Sequence, residues 1–224
     1  MNPAAASGAS TGAVFTPLRL GVWRRRVNPL LLDRIMNTEE SRRIRSRVCS
    51  RLSGEVLEIG FGTGHNLPHL PSEVRSVLAV EPVPRARELA QQRITESGAT
   101  VEHVGTDARS LPLADESVDA VLCTWNLCSI DDAQVAVAEV ARVLRPGGEL
   151  HFVEHGRADA ERTRRWQHRL DPVWSRIACG CHIDRDIPSI IEAGGLEITE
   201  MNTYFIESEP KLLGWTFEGR ARVP

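Results

Sequence analysis

From position 56 onward the apolar positions fall into short runs separated by longer amphipathic stretches. Residues 56–59, 77–80, 100–104, 118–123 and 149–154 read as strands, each rich in Val, Leu and Ile. Between them, 85–96 and 132–144 carry helical patterns. The first is stopped by Ser97-Gly98 and the second by Arg145-Pro146-Gly147-Gly148. A short helix begins at 66–70, ahead of Pro71. Strands alternating with helices in this way predict a parallel sheet covered on both faces.

The pattern changes after residue 156. Residues 157–182 read as helical, with an apolar stripe at Trp166, Leu170, Val173 and Ile177 interrupted by Pro172. Residues 185–193 form a further helix, stopped by Gly194-Gly195. Two strands, 196–205 and 213–223, are joined by a loop containing Pro210, so one of them must run antiparallel. The expected fold class is therefore α/β, with a seven-stranded, mostly parallel sheet that ends in an antiparallel hairpin. Upstream, Asn28-Pro29 caps one helix and Thr38-Glu39-Glu40 starts another. Ile44, Val48 and Leu52 give the second helix a single apolar face. These helices either cross the mouth of a pocket or pack on the sheet. The division expected is a disordered tail over 1–14, a helical cap over 15–54 and the main domain over 55–224.

Charge alters this picture little. The net charge is −3, with 26 Arg and a single Lys among 27 basic residues. Ten of those arginines stand in residues 1–51 against Asp33, Glu39 and Glu40. Such a basic arm can make weak contact with a membrane surface, but a solvated helix face is the plainer reading. No nucleic-acid partner is expected. The five cysteines, an odd count, come with no readable secretory leader. That argues for reduced thiols and a cytoplasmic protein. No apolar run reaches the length of a membrane span.

The candidate chemistry begins at VLEIGFGTGHN, where Gly60, Gly62 and Gly64 follow the first strand. Gly60 allows a sharp turn, and Gly62 and Gly64 remove side chains where a ligand approaches the backbone. The dinucleotide fingerprint is G-x-G-x-x-G; here the third glycine comes one residue early. Glu81, at the end of the second strand, can accept from both ribose hydroxyls, in a nicotinamide dinucleotide and in adenosylmethionine alike. Asp107, in V-G-T-D-A, can accept from an adenine amino group. Thr124-Trp125-Asn126 follows the fourth strand, near the point where ligands bind in open sheets.

At these residues the chain resembles the class I S-adenosylmethionine-dependent methyltransferases. VLEIGFGTG is similar to their first motif, Glu81 to the second, Asp107-Ala108 to the third, Ser117 to Val121 to the fourth, and L-R-P-G-G to the turn before their fifth strand. A narrower likeness, in V-L-C-T-W-N-L-C-S-I, F-V-E-H, L-D-P-V-W and G-C-H, is to alkyl-thiol S-methyltransferases. Quinone-biosynthesis C-methyltransferases and small phospholipid N-methyltransferases are similar as well. The resemblance implies a Rossmann-like fold and S-adenosylmethionine as cofactor. It also implies a small acceptor, a thiol by preference, otherwise a quinol carbon or an amine; the apolar stripe over 157–182 suits a lipophilic one. It does not give the oligomeric state. The cofactor-binding residues it implies are Glu58, Gly60, Phe61, Gly62, Thr63, Gly64, Asn66, Glu81, Pro82, Asp107, Ala108, Thr124 and Asn126. An NAD-dependent oxidoreductase and an RNA-directed or non-catalytic protein of the same fold are the alternatives.

On the acceptor side, His155 and His182 are the candidate catalytic bases, because imidazole can take a proton near neutral pH. Trp166 and Trp174 read as packing residues. Cys179, Cys181 and His182 are close in sequence, but C-x-C-H is tight for a tetrahedral site and no second pair matches it. No metal is expected.

Overall fold

The computed structural model describes residues 28–178 and 180–224. The tail over 1–14, the first part of the expected cap (15–27) and Cys179 lie outside the described residues. The elements are α1 (Asn28–Ile35), α2 (Glu39–Cys49), β1 (Gly54–Ile59), β2 (Val74–Val80), α3 (Pro84–Ser97), β3 (Val101–Gly105), β4 (Val118–Thr124), α4 (Ala133–Val143), β5 (Leu144–His155), α5 (Glu161–Ile177), α6 (Ile187–Ala193), β6 (Glu197–Phe205) and β7 (Trp215–Arg222). A single 3-10 turn, Leu67–His69, stands where the short helix was expected.

One seven-stranded sheet runs in the order β3-β2-β1-β4-β5-β7-β6. The first five strands are parallel, and β7 is antiparallel to both β5 and β6. The hairpin thus inserts its second strand between β5 and its own first strand. Alternation along the strands sorts the core to two faces. Leu57, Ile59, Leu78, Val80, Val121 and Cys123 meet Val137 and Val140 of α4 and Ile187 and Ile191 of α6. Val56, Ala120, Leu122 and Val153 meet Ile44 and Val48 of α2, while Val77 and Ala79 meet Ala90 of α3. Helix α2 begins in a capping box between Thr38 and Ser41, as its start signal predicts.

Two elements depart from expectation. Strand β5 begins at Leu144, five residues early, because Leu144 pairs with Val118 before the Gly147-Gly148 kink. The ladder then resumes at Ala120 and Glu149. Helix α5 is shorter than 157–182. Its apolar stripe does not pack inward either: Trp166, Leu170, Val173 and Ile177 are 48%, 40%, 55% and 59% exposed. The helix is seated instead by two buried polar side chains. Gln167 accepts from Ala158 N and donates to Gly156 O and Leu212 O, and Asp171 accepts from Ile183 N.

Candidate active site

The parallel register brings the carboxyl ends of four strands to one edge. Ile59 lies opposite Val80 on one side and Cys123 on the other, and Cys123 lies opposite Phe152. The residues that follow, Gly60, Glu81, Thr124 and His155, therefore open on one cavity of about 980 Å³. That is at the upper end of the range for small-molecule sites.

The glycine loop forms its floor. Gly60 has φ +71, and a methyl group there would fall 1.4 Å from Asn126 Nδ2, so both the turn and the packing require glycine. At Gly62 an added methyl would meet only Gly60 O, at 3.8 Å, which leaves the backbone open to a ligand. Glu81 fixes this loop: Oε2 accepts from Gly62 N and Oε1 from Val83 N, both at 2.8 Å. Of the expected cofactor residues, Glu58, Gly60, Phe61, Gly62, Thr63, Asn66, Glu81, Pro82, Asp107, Ala108, Thr124 and Asn126 line the cavity. Gly64 is not in the lining; it packs against Leu67, Phe61 and Ala90. Asp107 lines the cavity with both carboxylate oxygens held by Arg109, which keeps its pKa low.

Sequence reasoning passed over Arg45. This arginine of α2 is buried; it donates to Asn66 Oδ1 at 2.7 Å and Thr124 Oγ1 at 3.2 Å, and lies 4.7 Å over the Trp125 ring. Burial brings its pKa down to about 10. Facing it, Glu58 Oε1 accepts from Asn66 Nδ2 at 2.7 Å. Burial pushes the Glu58 carboxyl up to about 8, against the opposing pull of Asn66 and Arg45. Glu58 Oε2 and Arg45 Nε are buried and have no partner. A carboxylate and a guanidinium with spare hydrogen-bonding capacity at one end, and a ribose-type carboxylate at the other, suit a ligand with a zwitterionic amino-acid end and a nucleoside.

The dinucleotide alternative lacks this match, and comparison with known proteins decides the family. A methyltransferase-domain family model matches residues 57–152. Human thiol S-methyltransferase TMT1B is 34% identical over 171 residues, covering 73% of this chain and 67% of the relative. The chain belongs to the class I S-adenosylmethionine-dependent methyltransferases. Human thiol S-methyltransferase TMT1A is 36% identical over 137 residues, 58% of this methyltransferase-family chain and 55% of the relative, so that match spans little more than half of the relative's length. A solved methyltransferase from Aquifex aeolicus superposes with a TM-score of 0.62 at 17% identity, covering 86% of this chain and 97% of that one, which supports the fold alone. The cofactor of the family is S-adenosylmethionine, and the unpaired Glu58 and Arg45 atoms fit its methionine end.

The cavity continues past the expected cofactor residues towards Trp125, Trp174, Ile177, Ile183, Ile206 and Leu213. Trp125 takes a left-handed backbone (φ +51), and its N–H donates to Val153 O at 2.7 Å. The loop after it hangs on a buried carboxylate, Glu154, which accepts from Asn126 N at 2.9 Å and Cys128 N at 3.1 Å. His155 and Cys181 line the cavity here. His182 does not: its Nδ1 sits 2.6 Å from Asp171 Oδ2, under α5. Of the α5 stripe, only Ile177 reaches the cavity; Trp174 lines it and Trp166 does not. Cys128, from the loop after β4, comes within 3.6 Å of Cys181, Sγ to Sγ. The sequence could not show this pairing, because 53 residues separate the two. Among the described residues no helix is long and apolar enough to cross a membrane.

Proposed function

We propose that the protein transfers a methyl group from S-adenosylmethionine to the sulfur of a small lipophilic thiol. The observation that carries this reading is the continuous cavity: the donor residues at one end open into an apolar chamber that ends at Cys181 and His155. The names of the relatives, thiol S-methyltransferases, support the same acceptor.

When bound, the donor supplies a methyl group already activated by the sulfonium charge. Glu81 takes the ribose, Glu58 the α-ammonium and Arg45 the carboxylate. Phe61 and Thr63 contribute mainly backbone, and Asn66 and Thr124 hold Arg45 and Glu58 at their working positions. The apolar chamber orients the acceptor and keeps water away. Placing two reacting atoms in line at about 3 Å is the larger part of such catalysis. His155 contacts the acceptor from the end of β5. His182 acts at one remove, as the partner of Asp171 in the turn that carries Cys181 and Ile183.

The test is a transfer assay with isotopically labelled donor against a panel of alkyl and aryl thiols, quinols and amines. Thioether formation from an apolar thiol is expected. Methylation of quinols or amines alone would overturn the acceptor assignment.

A further inference from the structure

A free thiol has a pKa of about 8.5, so only a few per cent is thiolate at neutral pH. An S-methyltransferase gains by binding its acceptor already deprotonated, and the far end of the chamber holds groups suited to that. Cys128, His155 and Cys181 each bring one ligand atom to a common point, all within 4.8 Å of one another. They come from three separate segments, after β4, at the end of β5 and after α5. The backbone fixes each segment before any ligand arrives. Cys128 N donates to Glu154 Oε2 at 3.1 Å, His182 N to Cys128 O at 2.8 Å, and Cys181 N to Ala178 O at 3.0 Å.

The spacing fits a metal. Two sulfurs bound to zinc at about 2.3 Å and a tetrahedral angle stand about 3.7 Å apart; Cys128 and Cys181 stand 3.6 Å apart. His155 Nε2 is buried without a hydrogen-bond partner, and Glu209 Oε2 lies 3.4 Å from it. That leaves Nε2 free to ligate, and the neighbouring carboxylate adds negative charge that favours a cation there. Three protein ligands and one position facing a chamber is the arrangement of a catalytic zinc, whereas structural sites are closed by four.

We propose that Cys128, His155 and Cys181 form a Cys2His site for Zn²⁺ whose fourth position binds the acceptor thiol as its thiolate. This inference rests on the thiol reading above. Zinc binding releases the protons of the two cysteine thiols. The acceptor thiol then loses its proton to solvent on coordination. Its sulfur forms the new S–CH3 bond as the sulfonium S–CH3 bond breaks, the electron pair of the broken bond returning to the donor sulfur. One acceptor thiol and one sulfonium yield one thioether, one S-adenosylhomocysteine and one proton. The metal keeps its charge throughout.

The experiment uses the full chain, reduced, freed of metal by chelation and titrated with zinc and, separately, with cobalt. A single equivalent of zinc should survive dialysis. The cobalt form should show thiolate-to-cobalt charge transfer and tetrahedral d–d bands, and thiophenol should shift those bands. C128S, C181S and H155Q should lose the metal, while C49S, altered in the contact between α2 and the sheet, retains it. Absence of the charge-transfer band in the unaltered chain overturns the proposal even if the variants do not fold. So does a Cys128–Cys181 disulfide formed in place of metal binding. Full-rate thiol methylation in the presence of chelator refutes the metal and leaves the thiol reading standing. A chain that binds zinc yet methylates only amines or quinols sinks the thiol reading and, with it, the role of the fourth position.

Discussion

Binding of the cofactor's methionine end should be linked to a proton at Glu58. In the free protein burial pushes this carboxyl up to about 8, so it is neutral at pH 6 to 7, and Oε2 stands buried without a partner. An arriving α-ammonium supplies the missing counter-charge and draws the group to its ionised form. Binding below pH 8 therefore releases a proton, and affinity rises with pH until the free carboxyl ionises unaided. At its pKa the group is half ionised and two pH units below it about 1% ionised, so affinity should fall by up to roughly 50-fold between pH 8 and pH 6, or about 2.3 kcal/mol. Glu81 and Arg45 also face this group, so the parent chain alone is not sufficient; Glu58→Gln isolates the effect. The assay is titration calorimetry with S-adenosylhomocysteine in two buffers of different ionisation enthalpy. Close to one proton should be released by the parent at pH 6.5 and none by Glu58→Gln. An affinity flat from pH 6 to 8, or equal proton release from both chains, would show that Glu58 is not the group that receives the ammonium.

Stability should carry the same signature with its own sign. The folded pKa of Glu58 lies above the unfolded value near 4.3, so the folded chain binds the extra proton and its stability falls as pH rises from about 4.5 towards 8. Glu58→Gln should melt increasingly above the parent over that window, and an advantage independent of pH would contradict the linkage. Glu81→Gln should weaken S-adenosylhomocysteine binding by roughly 1–3 kcal/mol, as expected for hydrogen bonds to a charged acceptor, and an unchanged dissociation constant would point to another carboxylate. Gly60→Ala places a methyl group against Asn126 in a left-handed backbone. It should lower the melting temperature by an amount corresponding to at least about 1–3 kcal/mol and abolish binding; parent-like behaviour in both would refute the loop geometry. Asp33→Asn should raise the dissociation rate of S-adenosylhomocysteine in stopped-flow fluorescence, and an unchanged rate would remove α1 from the binding site.

The fold was legible where burial imposes a pattern. β1, β2 and β4 are apolar on both faces, and Gly98 closes α3 in the left-handed conformation that its sequence announces. The turn after β1 and the carboxylate after β2, at the expected cofactor end, were legible because both are fixed by local backbone geometry. What escaped were long-range polar partners. Arg45 looked like one arginine among ten in a basic segment, and only the packing of α2 on the sheet turns it to Asn66 and Thr124, 21 and 79 residues away. The α5 stripe misled for the converse reason. Its periodicity resembles a core face, yet the helix is held by Gln167 and Asp171, whose roles no hydrophobic pattern records. The meeting of Cys128 with Cys181 depends on both loops folding to the same edge.

One carboxylate oxygen, Oδ1 of Asp33, receives Thr63 Oγ1 at 2.7 Å and Arg93 Nη1 at 2.8 Å, and His65 Nε2 lies 3.1 Å away. Arg93 also donates to Thr63 O at 2.9 Å. Helix α1 is thus latched to the glycine loop at one atom, and the latch lets go as a unit. Leu31, Asp33 and Met36 all line the cavity, so the latched helix forms part of its wall. Were the product to leave past this wall, its dwell time would follow how often the latch opens, whatever the speed of the chemistry beneath it. A first turnover faster than all later ones would follow, together with inhibition by accumulated S-adenosylhomocysteine.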